Sequence, residues 1–273
     1  MTTIRALVMT GYGLNCDYET DFALRLAGAE PQRVHINELI DIGNLDAFHI
    51  MVFGGGFSWA DDHGAGVLLA AKLRNNIGVP MDRFVREGKL VIGICNGFQS
   101  LVNLGLLPGF DQDYRERRVA ITYNDSGNFI DTWVRLTVNN TSPCVFTKGL
   151  KNIDLPVRHG EGKFYAAHRD IQRLEASGQI VMRYAKEEGG PAEGHWPENP
   201  NGSLEDIAGI CDPTGRIFGL MPHPEAFHHI TNHPDWTRQK ATLARQGKGF
   251  DTEEGAGVQI FRNAVAYARQ HLV

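Results

Sequence analysis

Apolar residues along the chain fall into two regimes. In the first hundred positions they form short continuous runs, several of them ended by glycine. "IRALVMT" (4–10), "AFHIMVFGGG" (47–56) and "KLVIGI" (89–94) are rich in β-formers and too short for buried helices. They read as strands buried on both faces, and "RVHI" (33–36) as a further strand between the first two. Between them the spacing turns helical. Phe22, Ala23, Leu26 and Ala27 share one face, with Asp17 as candidate N-cap and Gly28 as candidate C-cap. Residues 65–87 read as helical with a break near Gly78-Val79-Pro80, and 96–104 as the helix after "KLVIGI". Strand and helix in alternation predict a parallel sheet with helices on both faces.

The second regime begins near residue 117. "RRVAITYNDSGNFIDTWVRLTVNN" alternates apolar and polar positions around the turn signal Asn124-Asp125-Ser126-Gly127, which predicts antiparallel strands. "LPVRHGEGKFY", "QIVMRYA", "IAGICD" and "IFGLMP" are further strand candidates, and "DPTG" (212–215) is a hairpin turn. Residues 227–256 are polar and read as an irregular insert. Val258, Phe261, Val265 and Ala268 then mark one face of a closing helix over 257–271. No repeat and no linker interrupts the pattern, so residues 1–273 are expected to form one domain.

Composition narrows the function classes. Hydrophobic residues are 42% of 273 and the net charge is −5, the balance of a globular chain. No segment is dense in lysine and arginine, which argues against nucleic acid as a partner. No apolar run has transmembrane length, and "MTTIRALVMTGYG" lacks the design of a signal peptide. A soluble, cytoplasmic protein is expected. Cys16, Cys95, Cys144 and Cys211 are widely spaced without a C-x-x-C, so neither a disulfide framework nor a structural zinc site is expected.

Three segments carry candidate chemistry. Gly93-Ile94-Cys95-Asn96-Gly97 has the G-x-nucleophile-x-G form of an elbow, in which a sharp strand-to-helix turn presents the nucleophile. Amides at a helix N-terminus also favour a thiolate there. A buried cysteine beside an ordinary strand–helix turn would give the same string. In "GLMPHPEAF" (219–227), His223 is a candidate base and Glu225 a carboxylate to orient it, stiffened by Pro222 and Pro224. In "VFGGGFSWADD" (52–62), three glycines after a strand allow close backbone approach, and their amides could hold an oxyanion together with that of Asn96.

Other motifs compete. "GYGLNC" (11–16) follows the first strand like a dinucleotide fingerprint, with Glu38 near the ribose-binding position, but Cys16 replaces its third glycine. No phosphate-binding G-x-x-x-x-G-K-[ST] occurs. His223-Pro224-Glu225 matches the H-x-E of zinc deaminases, whose P-C-x-x-C is absent. His223, His228, His229 and His233 crowd together in sequence, but without ligand spacing no metal is expected.

Cysteine elbow, glycine-rich strand and downstream His-x-Glu, in that chain order, resemble the class I (triad) glutamine amidotransferases. "GLNCDYET", "GGGFSWADDHGAG", "GICNGFQSL", "PVRHGEGKFY", "NPNGSLEDIAGICD", "GRIFGLMPHPE" and "IFRNA" sharpen the likeness to the glutaminase units of phosphoribosylformylglycinamidine synthases. The likeness spans nearly the whole chain and is weakest across 227–256. It implies an α/β, flavodoxin-like three-layer sandwich whose mostly parallel central sheet carries an antiparallel extension. By matching motifs it implies Cys95 as nucleophile, His223 as general base and Glu225 as its orienting partner. It implies Gly55, Gly56, Phe57 and Asn96 for the oxyanion hole, and Gln99 with His159, Gly160 and Glu161 near the glutamine.

The same resemblance implies that L-glutamine is hydrolysed and the ammonia passes to a synthetase subunit, with a small bridging subunit as a further possible partner. No cofactor is expected in this chain; ATP and magnesium would belong to the synthetase. Three other readings stay open: a γ-glutamyl peptidase with the same elbow, a non-catalytic regulatory module of the same fold, and a dinucleotide-binding oxidoreductase. The insert at 227–256, with Trp236 and several charges, is expected to be a docking surface, a lid or a solvated loop.

Overall fold

The computed structural model describes residues 2–273. Its elements run β1 (Arg5–Thr10), α1 (Asp17–Leu26), β2 (Glu30–His35), α2 (Ile36–Ile42), β3 (Ile50–Phe53), α3 (Val67–Arg86), β4 (Leu90–Ile94) and α4 (Asn96–Leu104). Then come β5 (Val119–Thr122), β6 (Ile130–Val138), β7 (Asn152–His159), β8 (Lys163–Ala166), α5 (His168–Ala176) and β9 (Ile180–Ala185). The chain closes with β10 (Ile207–Cys211), β11 (Ile217–Leu220), α6 (Trp236–Arg245) and α7 (Val258–His271).

Nine strands form one sheet in the order β2-β1-β3-β4-β11-β10-β9-β6-β7. The pairs from β2 through β11 are parallel, and those from β11 to β7 are antiparallel. The central strands β3 and β4 are buried at every position, as their unbroken apolar runs require. β6 shows the half-buried alternation of an antiparallel strand. Pro31 in β2 and Pro156 in β7 are tolerated because both strands lie at sheet edges.

Crossover handedness builds the three layers. From β1 the chain steps outward to β2, then reverses past β1 to β3 and on to β4. With right-handed crossovers, α1 goes to one face and α2 and α3 to the other. The contacts agree: α7 packs on α1, while α3 touches both α2 and α4. The reversal opens a crevice at the C-terminal ends of β1 and β3, where open α/β sheets bind ligands.

Several local expectations change. Cys16, not Asp17, occupies the N-cap of α1; Asp17 starts the helix and its carboxylate pairs with Arg33 at 3.1 Å. Residues 67–86 run as two helical segments joined across a kink at Ile77, next to the expected break near Gly78-Val79-Pro80. Pro80 lacks the N–H that would bond back one turn, which is enough to bend the helix. The turn at Asn124–Gly127 forms, but it joins strands of different sheets: β5 pairs with β8, and β6 with β7 and β9. The segment 227–256 is not irregular throughout. It contains α6, which buries none of its residues, and its ends are tied by the His229–Glu254 bridge. α7 buries Val258, Phe261, Val265 and Ala268 as their spacing predicts. Among the described residues no helix is long and apolar enough to cross a membrane.

Candidate active site

Four strand ends converge on one place. Residues 11–16 follow β1, 54–57 follow β3, Cys95 follows β4 and His223 follows β11, and these four strands are parallel.

The elbow is built by sterics. Cys95 sits at φ +52°, ψ −109°, a strained backbone for a side chain with a Cβ. Its neighbours must be glycine: a Cβ on Gly97 would lie 1.9 Å from the Phe53 carbonyl oxygen, and one on Gly93 2.6 Å from Leu101. The Cys95 N–H donates to the Leu220 carbonyl at 2.8 Å, and Gln99 N–H donates to the Cys95 carbonyl at 3.1 Å. The thiol is buried and donates to the Arg158 carbonyl at 3.5 Å.

His223 is anchored by its own N–H, which donates to the Pro156 carbonyl at 2.8 Å. Its Nδ1 lies 2.6 Å from Glu225 Oε1, and both side chains are buried. A carboxylate accepts only, so Nδ1 carries a proton and Nε2 is the nitrogen left to take up and give back another. Nε2 has no hydrogen-bond partner among the described residues. Burial pushes the imidazole down, but the charges of Glu225 and Cys95 outweigh it and raise His223 well above its ordinary 6.5. That is the balance expected of a group that accepts a proton from a nearby thiol.

The glycine strand 54–57 is held by the loop after β1. Asn15 and Cys16 N–H groups both donate to the Gly55 carbonyl, at 3.2 and 3.4 Å. Phe57 N–H donates to the Gly13 carbonyl at 2.9 Å. Of the expected oxyanion donors, Phe57 is therefore committed elsewhere in this arrangement. No backbone carbonyl among the described residues takes the Gly55 or Gly56 amide. Gly55 also needs its missing side chain: a Cβ there would sit 2.7 Å from His223 Cε1 and 3.1 Å from Cys16 Sγ. The "GYGLNC" string is thus the partner strand of the glycine segment, a role that accounts for it without a dinucleotide.

A polar chain runs from the elbow to the HGEG segment. Asn96 Nδ2 donates to Asp61 Oδ1 and to Gln99 Oε1, both at 3.1 Å. Gln99 Nε2 donates to the Glu161 carbonyl at 2.5 Å, and a Glu161 carboxylate oxygen accepts from Ala65 N–H at 3.3 Å. Burial, the charge of Glu161 and, against them, the Asn96 hydrogen bond place Asp61 at about 6. Asp61, Glu161 and Arg117 line a cleft of about 840 Å³.

His159 does not join the substrate-facing groups as expected. Its Nδ1 lies 3.1 Å from Asn124 Oδ1 and its Nε2 3.5 Å from Asn201 Nδ2, so both ring nitrogens are taken. The ring lies where a Gly162 side chain would be, 2.3 Å from an added Cβ. Burial first, and the charge of His223 second, lower His159 to about 3, and it stays neutral. Gly160 gives its carbonyl to Asn124 N–H at 2.9 Å. Asn124 and Asn201 carry no role in the sequence reading: "YNDSG" reads as a turn and "NPNGSLEDIAGICD" as a stretch of family likeness, and their partners lie far along the chain.

His228, His229 and His233 diverge from His223 and do not form a cluster with it. His228 meets the Glu225 carbonyl, His229 caps its own turn, and His233 faces Asp154 at 3.7 Å. One group among the described residues has metal-ligand spacing: Cys16, His223 and Glu225, whose ligand atoms all lie within 4.8 Å of one another.

Residues 3–268 match the family described as CobB/CobQ-like glutamine amidotransferase domain. The chain is similar to phosphoribosylformylglycinamidine synthase subunit PurQ of Methanococcus maripaludis, 45% identical over 96% of this chain and 97% of that one. The subunit of the same name from Dehalococcoides mccartyi is 44% identical over 99% of this chain and 100% of its own. Among solved structures, PurLQS from Thermotoga maritima superimposes with a TM-score of 0.69 at 30% identity, over 97% of this chain and 99% of the matched one.

Proposed function

The chain belongs to the CobB/CobQ-like glutamine amidotransferases, and from that premise we propose that it is the glutamine-hydrolysing subunit of a phosphoribosylformylglycinamidine synthase in purine biosynthesis. It supplies ammonia to a synthetase subunit that makes formylglycinamidine ribonucleotide from formylglycinamide ribonucleotide. ATP and magnesium belong to that synthetase, a small third subunit completes the assembly, and the whole works in the cytoplasm. The observation that carries the chemistry is the elbow: a cysteine at φ +52° beside a buried His223–Glu225 pair at 2.6 Å.

Cys95 gives its proton to His223 Nε2, and the thiolate attacks the side-chain amide carbon of glutamine. Amides of Asn96 and of the Gly55–Gly56 segment hold the developing oxyanion. His223 passes the proton to the leaving nitrogen, and ammonia departs. Water, deprotonated by His223, hydrolyses the γ-glutamyl thioester; the thiolate leaves and recovers its proton, releasing glutamate. Glu225 stays ionised and holds the ring in the tautomer each step needs. Gln99 fixes the elbow helix to the HGEG segment, so the cleft wall and the nucleophile move together.

Cys95→Ala is expected to abolish glutamine hydrolysis in the assembled synthase, while activity with added ammonia continues. Undiminished glutamine-dependent turnover would refute the assignment. Hydrolysis of γ-glutamyl peptides without a synthetase would favour the peptidase reading instead.

A further inference from the structure

Cys16 is a second thiol beside the catalytic histidine, and the triad chemistry does not use it. Its Sγ lies 4.0 Å from His223 Nδ1, the nitrogen that also meets Glu225 Oε1 at 2.6 Å. Besides that long contact, the thiol donates only a weak hydrogen bond, to Asn15 Oδ1 at 3.5 Å. Glu225 Oε2 is completely buried and has no partner among the described residues. A buried carboxylate oxygen with nothing to accept is costly, and it marks a place where a positive group fits. Cys16 is only half-buried, so the cluster is reachable from solvent.

We propose that Cys16, His223 and Glu225 bind one borderline-soft divalent cation, of which zinc is the best match, and that its binding reversibly switches the triad off. Thiolate, imidazole and carboxylate are the donors zinc takes, whereas magnesium and calcium prefer oxygen alone. With bonds of about 2.3 Å to sulfur and about 2.0–2.2 Å to nitrogen and oxygen, tetrahedral ligand atoms stand roughly 3.4–3.6 Å apart. The observed 4.0 Å and 2.6 Å bracket that separation, so the thiol must close and the His–Glu pair must open by less than 1 Å each. The missing side chain of Gly55 leaves the room: its Cβ would fall 3.1 Å from Cys16 Sγ and 3.2 Å from His223 Nδ1.

The balance is simple. The Cys16 thiol proton leaves to the buffer, the His223 ring keeps a single proton on Nε2 so that Nδ1 offers its lone pair, and the cation takes the thiolate, that lone pair and one carboxylate oxygen. A fourth position stays open for water. His223 then has a metal where its orienting proton was, and it no longer serves as base. The effect on turnover rests on His223 being the base; the binding itself does not, which separates the two failures.

Two measurements test it. In the assembled synthase, zinc at buffered free concentration is expected to inhibit glutamine-dependent turnover, with recovery on adding EDTA. Each variant is compared with its own metal-free rate. Cys16→Ser and Cys16→Ala should each raise the inhibiting zinc concentration by at least about 10–100-fold, the loss seen when even an outer-sphere partner of a metal ligand is removed. Equal zinc sensitivity with and without the Cys16 thiol would overturn the proposal, as would no inhibition of the natural protein. Independently of turnover, the Cys95→Ala protein should bind one cobalt(II) ion with a thiolate-to-cobalt absorption band. Adding Cys16→Ala should abolish that band; a band absent from the first protein or retained in the second would equally overturn the site.

Discussion

His223 and His159 are both almost wholly buried, and burial has opposite consequences for them. Around His223 stand a carboxylate and a thiol, and their charges raise the ring well above 6.5 against the pull of burial. The hydrogen-bond partners of His159 are neutral amides, from Asn124 and Asn201, and the nearest charge is the like charge of His223, so burial prevails and the ring falls to about 3. The difference is one of valence, not depth. A charged acceptor makes a buried imidazole a proton store; neutral partners make it a strut.

The largest expected effect follows directly. His223→Asn should lower glutamine-dependent kcat by roughly 10⁴–10⁶-fold, the range for removing the base of a nucleophile–base pair. His159→Asn should affect stability more than turnover. Rapid-quench or steady-state kinetics on both variants, alongside denaturant melts, make the comparison. If a folded His159→Asn protein lost as much kcat as His223→Asn, the two roles would have to be exchanged.

Glu225→Gln asks whether valence is the cause. The amide keeps the shape but removes the charge and no longer fixes the Nδ1 proton. A loss of about 10⁴-fold in kcat is expected, as for the corresponding carboxylate-to-amide change in a serine protease triad. The glutaminase pH profile should also move, because His223 loses its strongest support. Kinetics indistinguishable from the natural protein would remove Glu225 from the mechanism.

Legibility in the sequence divides along a similar line. Gly93, Cys95 and Gly97 are readable because the elbow is written in five consecutive residues, even though the clash that Gly97 avoids is with the distant Phe53 carbonyl. His223 and Glu225 are readable because only Pro224 separates them and a turn suffices to pair them. The strut around His159 is not, since Asn124, His159 and Asn201 come from three distant segments and only the fold joins them. The same holds for "GYGLNC", whose pairing with residues 55–57 crosses forty positions. The helices α2, α5 and α6 are not legible, for another reason. α5 buries only Asp170 and Leu174, and α6 buries nothing, so neither carries an apolar stripe to read. α2 follows β2 without a break, and its seven residues are too few for a period.

The strut can be weakened without touching a catalytic group. Asn124→Ala removes the acceptor shared by His159 Nδ1 and Gly162 N–H, both buried. Leaving such groups unpaired costs about 1–3 kcal/mol. Urea melts should therefore show a lower midpoint with an unchanged slope. pH sharpens the contrast. A neutral buried His159 stabilises the fold above its unfolded value of 6.5, and that contribution is lost as pH falls from there toward about 3. His223, shifted the other way, contributes fully below 6.5 and loses its contribution as pH rises through its raised native value. His159→Gln should flatten the acid limb of a stability–pH curve and leave the alkaline limb in place.

The smallest effect concerns Asp61, where the two kinds of environment meet. It accepts from Asn96 like a strut residue, yet it faces the Glu161 charge and sits at about 6 rather than 3.8. For a carboxyl raised in the folded state, the fold binds the proton better than the unfolded chain does. Stability is therefore greatest below 3.8, falls as pH rises between 3.8 and about 6, and is level above. Half-exposure lets solvent screen much of this, so the slope should be shallow. Asp61→Asn keeps an oxygen for Asn96 and removes the charge. It should erase the slope between pH 4 and 6 and slightly raise stability at neutral pH, with the elbow intact. If instead glutamine turnover collapsed while the melt was unchanged, Asp61 would be acting on substrate, and the cleft it lines with Glu161 would have to be counted with the charged corner rather than the neutral one.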